Sequence, residues 1–201
     1  MKRAAIAGFA AGLAMAVGGA LGAVSGMSDA RPATPEMTVM NPMIGGQAML
    51  ASRDVMDNLA ASPIHTKLAQ ALRESGIATA LKSNGQFTLF APTDAAFDVE
   101  GARNKAQLAH RMGYLVVPGK YDSASLLQLI SQGGGDARLR TVDGGILIAR
   151  LNGPTNIMLT DERGRTANIA IYDVHNKNGV IMVVDAMSMP SGPARQVALN
   201  D

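Results

Sequence analysis

One eleven-residue stretch, running from Phe87 to Phe97, constrains the fold of this chain more than any other. Its first five residues, FTLFA, place large or apolar side chains on both faces of an extended chain, which predicts a strand covered on both sides. Pro92 lacks a backbone N–H and ends the ladder. Thr93 or Asp94 can then accept a backbone N–H at a helix N-terminus, so we expect a capped helical turn to begin at Ala95.

Composition narrows the class of protein that can contain such a strand. Aromatic residues make up 3% of the 201 residues and hydrophobic residues 47%, so the core must be built from aliphatic side chains and methionine. The absence of cysteine excludes disulfides and cysteine-ligated metals. Lys2 and Arg3 account for the net charge of +2, so the rest of the chain is balanced and we expect no nucleic-acid partner.

The N-terminal region has the pattern of an export signal. Lys2 and Arg3 precede an Ala- and Gly-rich run without charge, which predicts a secretory signal peptide over residues 1–28. The alternative is an uncleaved membrane anchor, because the run is just long enough to span a bilayer. Residues 29–50 are rich in proline and methionine and predict a flexible linker. We therefore expect an exported protein, located in the periplasm, outside the cell or on its surface.

The spacing of apolar residues divides the remaining chain into a helical part and a part made mostly of strands. Helical spacing predicts helices over residues 54–61, 63–75 and 77–81, with Ser62 as the cap of the second, and further helices over 104–113 and from Ser123 onward. From Arg138 the period changes to two, and glycine-containing turns separate short apolar runs, which predicts antiparallel hairpins. This order predicts an α+β domain over residues 51–190, with N-terminal helices packed on an antiparallel β-sandwich or curled sheet. The polar residues 191–201 predict a loose tail.

Three segments together resemble a known family. They are the stretch Phe87–Phe97, the segment YLVVPGKY at 114–121, and the segment NGVIMVVD at 178–185, which Pro190 follows. In order and spacing these resemble the signature segments of the fasciclin (FAS1) domain, and the resemblance covers about residues 51–190. It implies a single exported module that is used in adhesion or matrix contact.

Two positions depart from the family pattern, in which histidine often follows the tyrosine of the second segment and often occurs within the third. Leu115 and Met182 stand there in this chain. The Tyr-His pair is implicated in adhesion in some members, and Tyr114 is the half that this chain retains. The alternative is that Tyr114 is a core tyrosine whose hydroxyl is hydrogen-bonded. The motif positions that the resemblance offers as binding residues are Thr93, Asp94, Tyr114, Pro118 and Gly119.

No catalytic arrangement is visible in the sequence. His65, His110 and His175 fall in separate predicted elements, and neither a Gly-x-Ser-x-Gly motif nor a pair of histidines at metal-binding spacing occurs. The adjacent Asp161 and Glu162 are predicted to lie at a solvated hairpin tip. The sequence therefore predicts a protein that is not an enzyme, with no catalytic, cofactor or metal site.

Two functions fit these observations. The first is an exported binding module that contacts a protein, or a component of the cell envelope or matrix, through an apolar or edge-strand face. The second is a periplasmic carrier that holds a small apolar molecule, such as a lipid or a pigment, in a groove, because a Met- and Ala-rich surface adapts to such ligands.

Overall fold

A computed structural model of the chain describes residues 41–82, 85–98 and 102–192. The predicted signal peptide, residues 29–40 of the predicted linker and residues 193–201 of the predicted tail lie outside these described residues. Within the described ranges, the helices are too short or too polar to cross a membrane.

The described residues form helices in the first two thirds of the chain and mostly strands in the last third. The helices are α1 (Val55–Ala61), α2 (Thr66–Ser75), α3 (Ile77–Lys82), α4 (Lys105–Tyr114) and α5 (Ser123–Gln132). The strands are β1 (Met43–Ile44), β2 (Gln47–Ala48), β3 (Phe87–Pro92), β4 (Val116–Pro118), β5 (Asp136–Arg140), β6 (Ile146–Leu151), β7 (Ile157–Thr160), β8 (Thr166–Asn176) and β9 (Gly179–Val184).

Seven of these strands form one curled sheet in the order β4-β3-β9-β8-β7-β6-β5. All neighbours run antiparallel except β3 and β9, which are parallel and aligned from the Phe87–Gly179 pair onward. The N–H of Val142, just after β5, donates to the carbonyl of Val116 in β4 at 2.8 Å, so the sheet is nearly closed. The α+β prediction is confirmed. The sheet is mixed, however, because β3 and β9 are parallel, whereas the sequence predicts an antiparallel sheet.

Strand β3 separates two hydrophobic cores. Leu89 and Ala91 point into a core that they share with α1 to α4, whereas Phe90 points into the interior of the curled sheet, which α5 covers. All three side chains are fully buried. Alternate residues of one strand thus serve both layers of the domain, which confirms the strand covered on both faces that the sequence predicts.

Three local predictions are wrong. Residues 94–96 form a turn, in which the N–H of Ala96 donates to the carbonyl of Thr93 at 2.9 Å, and residues 93–98 contain no helix. Helix α2 begins only at Thr66, because Ser62 ends α1 and its hydroxyl is bonded to the ring of His65 at 2.7 Å. Residues 43–49 are not a flexible linker, since Ile44 and Met49 of the β1–β2 hairpin region are buried in the core.

Candidate functional site

The carboxylate of Asp94 caps a helix, but not the helix that the sequence predicts. Its Oδ1 accepts the N–H of Lys67 at 2.8 Å, and its Oδ2 accepts the N–H and the hydroxyl of Thr66 at 3.1 and 2.7 Å. These groups form the first turn of α2, whose N-cap residue, His65, makes no side-chain cap bond. The first signature segment therefore fastens the end of β3 to a helix that precedes it by 28 residues.

We expect Asp94→Ala to lower the free energy of unfolding by about 1 kcal/mol, the usual cost of removing a helix cap. Burial acts to raise the pKa of Asp94, but the hydrogen bonds from Thr66 and Lys67 outweigh it and hold the pKa below its ordinary value of 3.8. The contribution is therefore present above pH 3.8 and is lost as the pH falls through the lower folded-state pKa. Urea unfolding at pH 7 checks the prediction. Asp94→Asn, which keeps one acceptor oxygen, should lose less, and equal losses would contradict the cap.

Tyr114, in the second signature segment, is a core residue. It is completely buried, its hydroxyl donates to the carbonyl of Ile146 at 2.7 Å, and the same oxygen accepts the N–H of Glu162 at 3.1 Å. Burial raises the pKa of this hydroxyl well above its ordinary value, so it stays protonated at neutral pH. Tyr114 thus joins the end of α4 to the start of β6 and to the β7–β8 turn, and it does not reach the surface.

Pro118 and Gly119 end β4. Pro118 is exposed, and Gly119 adopts a φ of 103°, a conformation that favours glycine. The N–H of Gly119 donates to the carbonyl of Gln86 at 2.7 Å, and its carbonyl accepts the hydroxyl of Thr88 at 2.8 Å. These bonds hold the corner after β4 against β3.

The third signature segment ties three elements together through Asn178, which lies outside the predicted site residues. Its Oδ1 accepts the N–H of Val55 at the start of α1 at 2.8 Å, and its Nδ2 donates to the carbonyl of Leu81 in α3 at 2.5 Å. Its carbonyl accepts the N–H of Phe87 at 3.1 Å, at the start of β3. Asparagine suits this position because it offers a donor and an acceptor on one short side chain.

The structure does not bring the five predicted binding positions into one site. Thr93 and Asp94 contact α2, Tyr114 contacts the start of β6, and Pro118 and Gly119 lie at the end of β4. A binding role for these residues stays a prediction. Of the five, Pro118 is the one that is exposed. Leu115 and Met182, at the positions where the family often has histidine, are both fully buried.

The structure contains two buried pairs of a histidine with a polar residue that the sequence did not predict. The ring of His65 is bonded to the hydroxyl of Ser62, and Nδ1 of His110 is bonded to the carboxylate of Asp143. All four residues are at most 4% exposed, so neither pair presents a nucleophile or a base to a substrate in this conformation. The spacing of Ser62 and His65 is a detectable signal, whereas His110 and Asp143 are 33 residues apart and belong to different elements.

We expect the protein to lose stability below about pH 6.5, because His65 is buried. Burial lowers the pKa of His65, and the charge of Asp94 and the backbone of Ala91 offset this only in part. A folded-state pKa below the ordinary value of 6.5 means that the stability is present above pH 6.5 and is lost as the pH falls through the folded-state pKa. The urea midpoint at pH 7.5 and at pH 5.5 measures this loss. His65→Gln should show a smaller difference between the two pH values, and an unchanged difference would contradict the assignment.

The Asp161–Glu162 turn is not the solvated tip that the sequence predicts. Asp161 is 4% exposed, and its carboxylate accepts the backbone N–H groups of Arg163, Arg165 and Met189, each at 2.9 Å. Glu162 accepts the N–H and the hydroxyl of Ser191 at 3.0 and 2.8 Å. The segment that follows β9 covers this turn, and both carboxylates hold it in place.

A candidate contact surface lies on the outer side of the sheet at β5, β6 and β7, and we call it the outer face. Its side chains alternate with the buried side chains of these strands, and they are Asp136, Arg138, Arg140, Ile146, Ile148, Arg150, Met158 and Thr160. Ile146 is 38% exposed, and Ile148 pairs with Arg138 across the strands. Ile148 and Met158 are half-buried, so this side of the sheet presents a partly exposed apolar strip among charged and polar side chains.

The fold and the contacts of the three signature segments can be compared with those of known proteins. The model of the fasciclin domain matches residues 63–190, which is more than half of the chain. The chain belongs to the fasciclin domain family. Membership supports a fasciclin module without a catalytic role, and the contacts of Asp94, Tyr114 and Asn178 hold parts of its framework together.

Individual proteins are also similar to this chain. Protein sll1483 of Synechocystis sp. is 26% identical over 176 residues, which is 82% of this chain and 89% of that protein. A second Synechocystis protein, sll1735, is 32% identical over 126 residues, 59% of this chain and 84% of that protein. Among solved structures, a FAS1 domain pair from the insect cell adhesion molecule Fasciclin I matches with a TM-score of 0.55 and 19% identity, over 67% of this chain. The fasciclin domain described here spans about half of that pair.

Proposed function

We propose that this fasciclin domain is an exported, non-catalytic binding module that contacts a protein at the cell envelope or outside the cell through its outer face. The observation that carries this proposal is the partly exposed apolar strip of Ile146, Ile148 and Met158 beside Arg138 and Arg140. Methionine and arginine are enriched in protein interfaces relative to the rest of the surface, and arginine is frequent among the residues that dominate binding energy.

The charges of the outer face define its partner. Arg150 is paired with Asp136, its Nε lying 2.5 Å from Oδ1, whereas no carboxylate of the described residues lies within 4 Å of Arg138 or Arg140. A complementary partner is a protein surface with an apolar patch flanked by acidic side chains. Export is supported by the signal-like pattern of residues 1–28.

A charge-matched pair of variants tests the role of the outer face. Arg138→Ser/Arg140→Ser removes two cations from the outer face, and Arg53→Ser/Arg73→Ser removes two exposed cations elsewhere. Immobilised protein is titrated with the extracted envelope proteins of its own host, and the bound species are identified and measured. We expect the first variant to lose at least about tenfold in affinity and the second to bind as the wild type does. Equal binding by both variants would contradict a role for the outer face.

A groove between α2 and α4 supports the second candidate function, a carrier of a small apolar molecule. Ala71, Phe97 and Leu108 supply its apolar wall, Lys67 and Glu74 lie at its polar side, and its volume is about 500 Å³. That volume suits a small ligand. The native mass of protein isolated from its host distinguishes the two functions. A defined additional mass that organic solvent extracts would favour the carrier, and the bare polypeptide mass would favour the binding module.

A further inference from the structure

Asn152 and Gly153 begin the turn that joins β6 to β7. All five residues of this turn, 152–156, are exposed. The N–H of Asn152 donates to the carbonyl of Asn156 at 2.7 Å, and its side-chain Nδ2 donates to Oδ1 of Asn168 at 3.2 Å. In an Asn-Gly pair, the backbone nitrogen of the glycine can react with the preceding side chain, because glycine has no Cβ to hinder the approach. An exposed turn is where the backbone has the freedom for such a reaction.

The backbone nitrogen of Gly153 is available as that nucleophile. Its N–H has no acceptor among the described residues. A Cβ built at Gly153 would meet nothing within 4 Å, so the space around this residue is open to water. Movement of the nitrogen toward Cγ of Asn152 therefore breaks no hydrogen bond of this N–H within the described part of the chain.

A second Asn-Gly pair, formed by Asn178 and Gly179, is held in place. Oδ1 of Asn178 accepts the N–H of Val55 at 2.8 Å, and its Nδ2 donates to the carbonyl of Leu81 at 2.5 Å. Gly179 is buried within β9, opposite Phe87 of β3. Its nitrogen reaches the side chain of Asn178 only if these elements separate. The same dipeptide is thus open in one turn and locked in the other.

We propose that Asn152 is a site of spontaneous deamidation and that the fold protects Asn178 from the same reaction. The nitrogen of Gly153 bonds to Cγ of Asn152, the bond from Cγ to Nδ2 breaks, and ammonia leaves with the proton that the attacking nitrogen has lost to solvent. The product is a succinimide ring, which a water molecule opens. Cleavage at Cγ gives aspartate, and cleavage at the main-chain carbonyl carbon gives isoaspartate, whose backbone is longer by one methylene group.

Either product adds a negative charge beside β8. A carboxylate at position 152 cannot donate, so the bond to Oδ1 of Asn168 is lost. The amide of Asn168 is held in its orientation, because its Nδ2 donates to Oδ2 of Asp185 at 2.9 Å. We therefore expect the turn to separate from β8 while β6 and β7 stay paired. This inference does not rest on the proposed function, since the turn reacts whether or not the outer face binds a partner.

The test follows the full-length protein, purified from its host, in water enriched in ¹⁸O at mildly alkaline pH, where the attacking nitrogen loses its proton more readily. Peptide mapping by mass spectrometry measures conversion at each Asn-Gly pair and separates aspartate from isoaspartate. In the folded protein, position 152 should incorporate the label at least about tenfold faster than position 178, which reacts only after local opening. In urea the two positions should react at comparable rates. The map resolves separately the pair at 84–85, whose Asn84 lies outside the described residues.

Gly153→Ala is the control variant, because a side chain at 153 hinders the approach of the nitrogen. We expect conversion at position 152 to slow by at least about tenfold and conversion at position 178 to stay unchanged. Absence of conversion at 152, or equal rates at 152 and 178 in the folded protein, would overturn the proposal. A preference for 152 that persists in urea would assign it to the local sequence instead of the fold. A variant that reacts as fast as the wild type would show that the nitrogen of Gly153 is not the nucleophile.

Discussion

Gly179→Ala is expected to destabilise the protein by more than about 4 kcal/mol, which few single substitutions do. A Cβ at this position would lie 2.0 Å from the carbonyl oxygen of Phe87, the residue that faces Gly179 in the parallel β3–β9 ladder. The Cβ and the carbonyl oxygen that it meets are both fixed by the backbone, so no side-chain rotation relieves the overlap. Relief requires the two strands to separate, and β3 is the strand that serves both hydrophobic cores. We expect little soluble protein, and that protein should unfold at much lower urea concentration.

Gly153→Ala is the matched control. Gly153 has a φ of 90°, and a Cβ there would meet nothing within 4 Å. Its substitution should therefore cost only the strain of a left-handed backbone, about 1–2 kcal/mol. Similar losses for the two variants would mean that a Cβ at position 179 meets no such obstacle and that β3 and β9 are not packed as described.

Asp143→Ala is expected to cost about 3 kcal/mol and to lower the melting temperature by about 6–12 °C. Asp143 is 1% exposed, and its carboxylate accepts from Nδ1 of His110. Its backbone N–H faces the carbonyl of Gly113 at 3.4 Å, next to the bond between Val142 and Val116 that nearly closes the sheet. Removing the carboxylate takes the acceptor from a buried imidazole and leaves a cavity at this closure.

Asp143→Asn separates the effect of the negative charge from the effect of the side-chain volume at position 143. The amide keeps the volume and one oxygen acceptor for Nδ1 of His110, so we expect less than half of the loss caused by alanine. A thermal unfolding series with wild type, Asp143→Asn and Asp143→Ala measures both. Equal melting temperatures for the three proteins would contradict a structural role for the pair.

The sequence predicted the parts of this fold that local patterns determine. Alternation over residues 87–91 identified β3 as a strand covered on both faces, and the change of period near residue 138 identified the hairpins of the sheet. These predictions held because the period of apolar residues reports directly which side chains are buried. The three signature segments then identified the family.

Contacts between distant residues were not predictable in the same way. An aspartate after a proline-ended strand was correctly recognised as a cap, but sequence pattern does not say which helix it caps, and Asp94 reaches back to Thr66 and Lys67. The pairing of His110 with Asp143 likewise depends on how the sheet closes. In β6, apolar residues occur on both faces, so the sequence could not decide that Leu147 is buried while Ile146 is exposed.

Site-specific photocrosslinking in the native host tests most directly whether this domain works by protein contact through its outer face. The protein is produced with Ile148→p-benzoylphenylalanine, at the centre of the outer face, or with Arg73→p-benzoylphenylalanine, on the exposed side of α2. The account predicts one discrete crosslinked protein of the cell envelope or exterior from position 148 and none from position 73. Crosslinked products that are absent at 148, or identical at the two positions, would contradict it.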